Sequence, residues 1–258
     1  MQSMLVAERR ELLLRRLEAD GKLVARDLAA ELGVSEDSVR RDLRDLAAAG
    51  LCQRVYGGAV PVSRALADYA ARASVEPESK QRVAARAATL ISPGDRVILD
   101  GGTTTLALVR ALPPNLTATV ITHSPTIAAA LVDHPGIEIL LLGGRIYKHS
   151  AVACGAATAE AAAGISADAF FLGVTGVHPE AGLTTGDAEE AAMKRTLAGR
   201  AADTYVLAST EKLGAISPYK VLGLSDVTAV ITDAPPEDPT LGQLLRGATA
   251  VISAAGRH

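Results

Sequence analysis

Apolar residues recur at helical intervals through the first 50 residues of the chain, among many charged side chains. Leucines spaced over residues 5–17 lie between Arg and Glu and predict an amphipathic first helix that ends near Gly21. A second helix follows over 24–32, and Gly33 lies in the turn after it. Because Ser35 is a favourable N-cap, a third helix is predicted directly beyond this turn.

The third helix and the segment after it indicate how this module is used. Val39, Leu43 and Leu46 follow a helical spacing and are expected to pack on the first two helices, which leaves the arginines of this helix facing outward. Residues 52–56 alternate like a strand, and residues 57–58 are two glycines that supply a tight turn. This order predicts a winged helix-turn-helix, in which one helix enters the major groove of DNA.

Arginine suits such a role because its planar guanidinium donates two parallel hydrogen bonds to a guanine edge or a phosphate. The alternative is a solvated face on which the arginines pair with Glu36, Asp37 and Asp45. The glycine turn, the serine cap and the hairpin favour DNA contact over that alternative. The predicted DNA-binding residues are Ser35, Asp37, Ser38, Arg40, Arg41, Arg44 and Arg54.

From residue 79 onward, helix-like and strand-like blocks alternate. Helices are predicted over 79–91, 104–112, 124–133, 155–163 and 187–199. Short strands rich in Val, Ile and Leu are predicted over 96–100, 117–122, 137–142, 168–173, 203–208 and 228–232. The alternation predicts parallel strands with crossover helices, which is an α/β three-layer domain. The predicted division is a DNA-binding domain over 1–60, a partly helical connector over 61–77 and an α/β domain over 78–258.

Loops built from Gly, Thr and Ser follow the strands of the larger domain. Ligands of parallel sheets bind at the carboxyl ends of the strands, and glycines with threonine hydroxyls at a helix N-terminus form a good anion cradle. Five such loops therefore predict a pocket for a small, phosphorylated, hydroxyl-rich ligand. They are residues 100–105, 122–124, 143–145, 173–176 and 182–187.

Each of these features has a plainer interpretation when it is taken alone. Residues 101–105 are also typical of a turn with a helix cap, Lys194 of a helix surface, and His123 of a loop histidine whose hydrogen bonds are satisfied. Residues 147–149 fit either a mobile flap or an exposed loop. The recurrence of similar loops at one edge of one predicted sheet favours the ligand pocket.

The composition argues against a membrane-spanning protein and is compatible with DNA binding. Hydrophobic residues make up 48% of the 258, yet no apolar run reaches the roughly 18 residues that a membrane span needs. The N-terminus does not read as a signal peptide, and Cys52 and Cys154 lack metal-ligand spacing, so we expect a cytoplasmic protein without metal or cofactor. The net charge is −3, but residues 1–64 hold 11 Lys/Arg against 10 Asp/Glu, which permits a cationic face on the first module.

Together, these motifs resemble those of the DeoR family of bacterial transcriptional regulators. The DNA-binding signature lies at residues 35–59, and sensor-domain motifs lie at residues 100–104, 142–144, 173–176, 185–194 and 212–214. The resemblance implies an α/β protein in which an N-terminal winged helix-turn-helix is joined to a larger sensor domain similar to ribose-5-phosphate isomerase. It further implies a repressor-like regulator of carbohydrate metabolism, which binds double-stranded operator DNA as a homodimer or homotetramer and responds to a phosphorylated sugar.

The resemblance also implies roles for the pocket residues. Asp100 and residues 103–105 are expected to cradle phosphate or hydroxyl groups, Lys194 and Lys212 to supply positive charge, and Asp187 or Glu190 to accept sugar hydroxyls. The predicted effector-binding residues are Asp100, Gly101, Gly102, Thr103, Thr104, Thr105, Thr122, His123, Ser124, Gly144, Thr175, Gly176, Thr185, Asp187, Glu190, Lys194 and Lys212. His123 departs from the family pattern, in which Asn is common at this position.

A sugar-phosphate isomerase with a fused DNA-binding domain is the main alternative. The isomerase moves a proton with an Asp-Gly-Ala-Asp loop, whereas the corresponding residues 173–176 of this chain contain no carboxylate. Proton transfer needs a positioned base, and only Asp187 or Glu190 could substitute. We therefore expect no catalytic residue and no enzyme activity. A ligand-binding module without any effect on DNA is the third alternative.

Overall fold

The computed structural model describes residues 5–20, 22–55, 57–61, 69–247 and 249–255, and it begins with a small helical module. In chain order its elements are α1 (Val6–Asp20), β1 (Leu23–Val24), α2 (Ala25–Leu32), α3 (Glu36–Ala48), β2 (Gln53–Val55) and β3 (Gly58–Val60). Ser35 caps α3 by accepting a hydrogen bond from the Ser38 N–H at 3.2 Å, and Gly33 ends α2 with a left-handed φ of 62°. The predicted helix-turn-helix is therefore confirmed.

The predicted wing is also present, with one strand more than the sequence predicts. β2 and β3 pair as an antiparallel hairpin, and β1 pairs with the other edge of β3. Two residues are too few to carry a strand periodicity, so β1 left no signal in the sequence. Tyr56 and Gly21, which end predicted elements, lie outside the described residues.

The rest of the chain is an α/β unit. Its elements are α4 (Tyr69–Ala73), α5 (Pro77–Ala88), β4 (Arg96–Leu99), α6 (Thr103–Ala111), β5 (Ala118–Thr122), α7 (Pro125–Leu131), β6 (Ile137–Leu141), β7 (Arg145–Tyr147), β8 (Val152–Cys154), α8 (Ala156–Ala163), β9 (Ala167–Gly173), β10 (Gly176–His178), β11 (Gly182–Thr185), α9 (Ala188–Ala198), β12 (Ala201–Leu207), β13 (Tyr219–Leu222), β14 (Ala229–Thr232), α10 (Pro239–Arg246) and β15 (Ala250–Ser253). All eleven helices and strands predicted for this unit are confirmed to within a few residues. Of the predicted connector, α4 is helical and residues 62–68 lie outside the description.

A parallel sheet of seven strands organises this unit, in the order β15-β14-β12-β9-β4-β5-β6. Every neighbouring pair in this sheet is parallel. Successive residues of each strand point to opposite faces, so Phe170 and Phe171 of β9 are both fully buried, in different hydrophobic clusters. Helices cover both faces, and the central strands β4 and β9 accordingly carry buried apolar residues on both sides.

Several smaller elements are not predicted by the sequence. They are the β7–β8 hairpin, the antiparallel sheet of β10, β11 and β13, the helix α10 and the edge strand β15. Most of these strands have three or four residues and contain glycine or polar residues, so neither alternation nor a long apolar run marks them. Within the described residues, no helix is long and apolar enough to cross a membrane.

We expect Phe170→Ala to destabilise the α/β unit by about 3–5 kcal/mol, because it leaves a cavity at the centre of the sheet. Urea unfolding followed by circular dichroism measures this loss. Val132→Ala, at a side chain that is 71% exposed, is the matched control and should change the free energy of unfolding by less than about 0.5 kcal/mol. A loss below about 1 kcal/mol for Phe170→Ala would contradict this packing.

Candidate functional site

A fully buried carboxylate follows β4 in the centre of the sheet. Asp100 Oδ1 accepts hydrogen bonds from the Gly101 N–H and from His123 Nε2, at 2.8 and 2.9 Å. Asp100 Oδ2 accepts from the Gly173 N–H at 2.8 Å and from Lys194 Nζ at 2.5 Å. Burial alone would raise the pKa of Asp100, but Lys194 and His123 outweigh it and hold that pKa well below its usual range. Asp100 is therefore an ionised anchor that joins β4, β5, β9 and α9.

Lys194 and Glu190 extend this anchor along α9. Lys194 Nζ also donates to the Gly173 carbonyl at 3.0 Å and lies 3.4 Å from Glu190 Oε1. The other oxygen of Glu190 accepts from Thr185 Oγ1 at 2.7 Å. Burial would lower the pKa of Lys194, but Asp100 and Glu190 raise it above its ordinary value. The two charged groups lie one helical turn apart, so both face the carboxyl ends of the strands.

A cleft opens beside this anchor, against the N-terminus of α6. On the α6 side Lys212 is buried, and its Nζ donates to Thr104 Oγ1 and to the Leu207 carbonyl, each at 3.1 Å. Within the described residues it forms no salt bridge. Burial lowers the pKa of Lys212 to about 8, and nearby Glu211 offsets this only in part. The first N–H groups of α6 have no partner inside the helix, so this end of the cleft is rich in hydrogen-bond donors.

Three charged residues of the cleft are absent from the sequence-based prediction. Arg72 of α4 is buried, and its Nη2 donates to the His149 carbonyl at 2.7 Å. Lys80 Nζ donates to the Arg72 carbonyl at 2.6 Å, and Glu211 Oε1 accepts from Ser209 Oγ at 2.8 Å. In the part of the chain that the structure describes, Arg72 Nε and Glu211 Oε2 are buried without a hydrogen-bond partner. A connector arginine and a helix lysine look like solvated charges in sequence, so only the three-dimensional arrangement identifies them.

The structure brings most of the predicted effector-binding residues to this cleft. Those that line it are Gly101, Gly102, Thr103, Thr104, Thr105, Thr175, Thr185, Glu190, Lys194 and Lys212. Those that do not line it are Asp100, Thr122, His123, Ser124, Gly144, Gly176 and Asp187. The predicted effector contacts of this second group are not supported by their positions.

Each residue of the second group has a structural partner instead. Asp100 and His123 are buried against each other, and His123 Nδ1 lies 2.8 Å from the Ala153 carbonyl of β8. Ser124 Oγ donates to the Ala151 carbonyl at 2.9 Å, and the Thr122 hydroxyl accepts from the Ser124 N–H at 3.1 Å. Asp187 caps α9 by accepting from the Glu190 N–H at 2.9 Å. A Cβ on Gly144 would lie 2.0 Å from Thr158 Oγ1, and one on Gly176 would lie 2.3 Å from the Ala215 carbonyl.

The predicted DNA-binding residues lie on α3, at its N-cap and on the wing of the first module. Arg40, Arg41 and Arg44 of α3 are exposed, and so is Arg54 of the wing. Arg40 Nη2 donates to Glu36 Oε1 at 2.7 Å, so the alternative of pairing within the helix holds for this arginine. Among the described residues, neither Arg41 nor Arg44 makes a salt bridge. Ser35, Asp37 and Ser38 lie at the start of the helix, where base contacts are expected. No group of His, Cys, Asp and Glu that could hold a metal occurs among the described residues.

Comparisons with known proteins match both parts of the chain. Residues 9–65 match the model of the DeoR-like helix-turn-helix domain, and residues 75–234 match that of the DeoR C terminal sensor domain. The transcriptional regulator FruR of Bacillus subtilis is 35% identical over 233 residues, which cover 90% of this chain and 92% of the relative. The transcriptional repressor GlcR of the same organism is 34% identical over 222 residues, which cover 85% of each chain. A solved structure of ribose 5-phosphate isomerase A from Methanocaldococcus jannaschii is 20% identical, with a TM-score of 0.40 over 53% of this chain and 54% of the other.

The low pKa of Lys212 predicts a pH-dependent affinity of the cleft for anions. Sulfate is a useful probe because it stays a dianion from pH 7 to 10. Since Lys212 loses its proton as the pH rises through about 8, sulfate affinity should be nearly constant below that pH and should fall above it. Isothermal titration calorimetry from pH 7 to 10 measures this dependence. Lys212→Met should weaken binding and remove the slope, and an unchanged affinity up to pH 10 in the unsubstituted protein would contradict the prediction.

Proposed function

Since this chain belongs to the DeoR family of transcriptional regulators, we propose that a phosphorylated sugar binds in its cleft and controls repression of carbohydrate-metabolism genes. The chain is a DNA-binding transcriptional regulator with an N-terminal helix-turn-helix domain and an α/β sensor domain. The relative GlcR is named a repressor, which supports the direction of the effect. The observation that carries the proposed ligand is the buried Lys212 beside the N-terminus of α6, which forms no salt bridge in the described part of the chain.

The α6 end of the cleft is the proposed phosphate position. Lys212 is buried, so an anion there would interact with it in a medium of low dielectric. The first N–H groups of α6 and the hydroxyls of residues 103–105 supply further donors. Gly102 begins the helix with φ 112°, a backbone conformation that favours glycine and leaves space for a close approach. A phosphate therefore offsets the cost of burying this lysine.

The opposite side of the cleft is the proposed sugar position. Glu190 lies there with Thr185. Glu211, beside Lys212 in the chain, also lines the cleft and presents a buried carboxylate oxygen that has no partner among the described residues. Carboxylates accept hydrogen bonds from hydroxyl groups, so both can orient a polyol. The buried Glu211 oxygen is costly when it is left unpaired, which favours a ligand that supplies a donor.

We propose that the chain does not catalyse sugar-phosphate isomerisation. The loop that follows β9 offers no carboxylate, and both oxygens of Glu190 are engaged, one by Thr185 and the other near Lys194. Asp187 is occupied as the cap of α9. A general base must lie within hydrogen-bond reach of the proton that it removes. Glu211 has an oxygen without a partner among the described residues, but it lies beyond β12 and not on the loop after β9, where the isomerase carries its carboxylates. The cleft is built to hold a ligand by charge and hydrogen bonds.

Arg72 gives this cleft a connection to the DNA-binding domain. It lies on α4, within the proposed connector, and its guanidinium reaches the cleft while its carbonyl accepts from Lys80. Arg72 Nε has no hydrogen-bond partner among the described residues, so an anionic ligand that engages it would bind one placement of α4 better than another. A ligand controls an equilibrium only through such unequal binding. The placement of α4 is therefore the proposed switch, acting on a homodimer or homotetramer bound to operator DNA.

On the DNA side, we expect Arg41→Ala to weaken operator binding by about 5- to 150-fold, the loss of one good bidentate contact to a base. The probe is a duplex that the unsubstituted protein enriches from a random-sequence library, and fluorescence anisotropy measures its affinity. Arg15→Ala makes the same charge change on α1, where Arg15 pairs with Glu11, and it should have little effect. Equal losses for both variants would show that α3 does not read the operator.

On the effector side, we expect Arg72→Gln to reduce the response to sugar phosphates and to spare DNA binding in their absence. Thermal shifts with glucose 6-phosphate, fructose 1-phosphate and ribose 5-phosphate measure binding, and anisotropy measures release of the enriched duplex. Arg86→Gln, at an exposed position of α5, is the matched control. A variant at Arg72 that responds like the unsubstituted protein would contradict the proposed switch.

A further inference from the structure

The recognition helix α3 carries a buried carboxylate on the face opposite its exposed arginines. Asp42 is 1% exposed, and Arg9 of α1, which contacts it, is 8% exposed. Arg9 Nε donates to Asp42 Oδ2 at 2.5 Å, and Arg10 Nε donates to Asp42 Oδ1 at 3.2 Å. Arg10 also reaches Asp45, one turn further along α3. Two adjacent arginines of α1 therefore hold both oxygens of one carboxylate.

Stability alone is a weak reason for this arrangement. The first module already has an apolar core, formed where α1, α2 and α3 meet around Leu13, Val39 and Leu43. Replacing a buried ion pair by apolar residues of similar volume is often neutral or stabilising, because two charges no longer have to be desolvated. What a buried ion pair adds is a defined geometry between the two helices. Apolar contacts allow a helix to turn or slide by small amounts, whereas two hydrogen bonds to one carboxylate fix both the rotation and the height of α3 against α1.

The rotation of α3 determines where its exposed arginines point. Successive residues of a helix are about 100° apart and rise 1.5 Å, so Arg41 and Arg44 move with Asp42 as one rigid unit. Recognition sites depend on geometry held to within about 0.5 Å and 10–20°. A small rotation of α3 would therefore cost base contacts, and it would leave the contacts of mobile side chains to phosphates largely intact.

We propose that Asp42, held by Arg9 and Arg10, is a positioning residue that sets the orientation of α3 for reading the operator. It touches no DNA itself and acts through Arg41 and Arg44. This inference rests on the proposed role of α3 in DNA recognition. It predicts that loss of the Asp42 contact lowers sequence discrimination more than it lowers affinity for DNA in general.

Asp42→Asn tests the proposal because it keeps the size of the side chain and removes its charge. The probes are a duplex enriched by the unsubstituted protein from a random-sequence library and a duplex of the same base composition in scrambled order. We expect affinity for the enriched duplex to fall about tenfold or more. Affinity for the scrambled duplex should stay unchanged or rise, because two arginines are released and the module gains one positive charge. A merely structural role would weaken both duplexes in parallel, and that result would overturn the proposal.

Asp45→Asn is the matched control. It makes the same chemical change on the same helix, but the Asp45 side chain is about half exposed and, among the described residues, forms a salt bridge with Arg10 alone. Its ratio of affinities for the two duplexes should stay within about twofold of that of the unsubstituted protein, as expected for an exposed ion pair. A loss of discrimination as large as that of Asp42→Asn would show that charge, and not position, governs the effect.

The double variant Arg9→Met with Asp42→Leu covers the case in which Asp42→Asn does not fold. It leaves the net charge unchanged and fills the site with apolar side chains, so we expect a melting temperature equal to or above that of the unsubstituted protein. Its discrimination should still fall about tenfold, and retention of full discrimination would overturn the proposal. Failure of the unsubstituted protein to enrich any sequence would contradict the role of α3 itself, which distinguishes the two claims.

Discussion

The arrangement of the sensor domain depends on one buried ion pair, between Asp100 and Lys194. Asp100 is surrounded by four hydrogen-bond donors that come from three strand ends and one helix. An isolated carboxylate in this position would cost several kcal/mol, so the pair can be kept only while all of these elements remain in place. The ion pair therefore fixes the relative positions of the loops that form the cleft. It also explains why Asp100 is fully buried and bonded within the protein, although it begins the most prominent motif of the domain.

The cleft beside this anchor contrasts with it, because its charges are incompletely compensated. Lys194 is balanced by Asp100 and Glu190, whereas Lys212 and Arg72 have no carboxylate in salt-bridge contact among the described residues. Burial lowers the pKa of both Lys212 and Arg72, because a charged group loses favourable hydration inside the protein. An anion recovers part of that cost when it binds. An anion that binds Arg72 can also affect DNA binding, because Arg72 belongs to the segment next to the DNA-binding module.

The sequence predicts the architecture well because its signals are local and repeated. Strand runs such as 168–173 and the Ser35 cap report on their immediate neighbourhood, and both are present in the structure. The edge rule for parallel sheets predicts that residues 101–105 and Glu190 lie together, and the family resemblance adds Lys212; all of them line one cleft. The roles of single residues within it are harder to predict. A carboxylate such as Asp100 or Asp42 has the same appearance in sequence whether it faces a ligand, a lysine or an arginine more than 30 positions away.

The central claim is that binding of a phosphorylated sugar and binding of operator DNA are coupled in this protein. The most direct test is whether each ligand changes the affinity for the other by the same factor. The affinity for a library-enriched duplex is measured with and without the sugar phosphate that gives the largest thermal shift, and the affinity for that sugar phosphate is measured with and without the duplex. The account predicts that the two ratios are equal and differ from one by about 5-fold or more. It also predicts that the unphosphorylated sugar has no effect on either. Ratios of one, in a protein that binds both partners, would contradict the account.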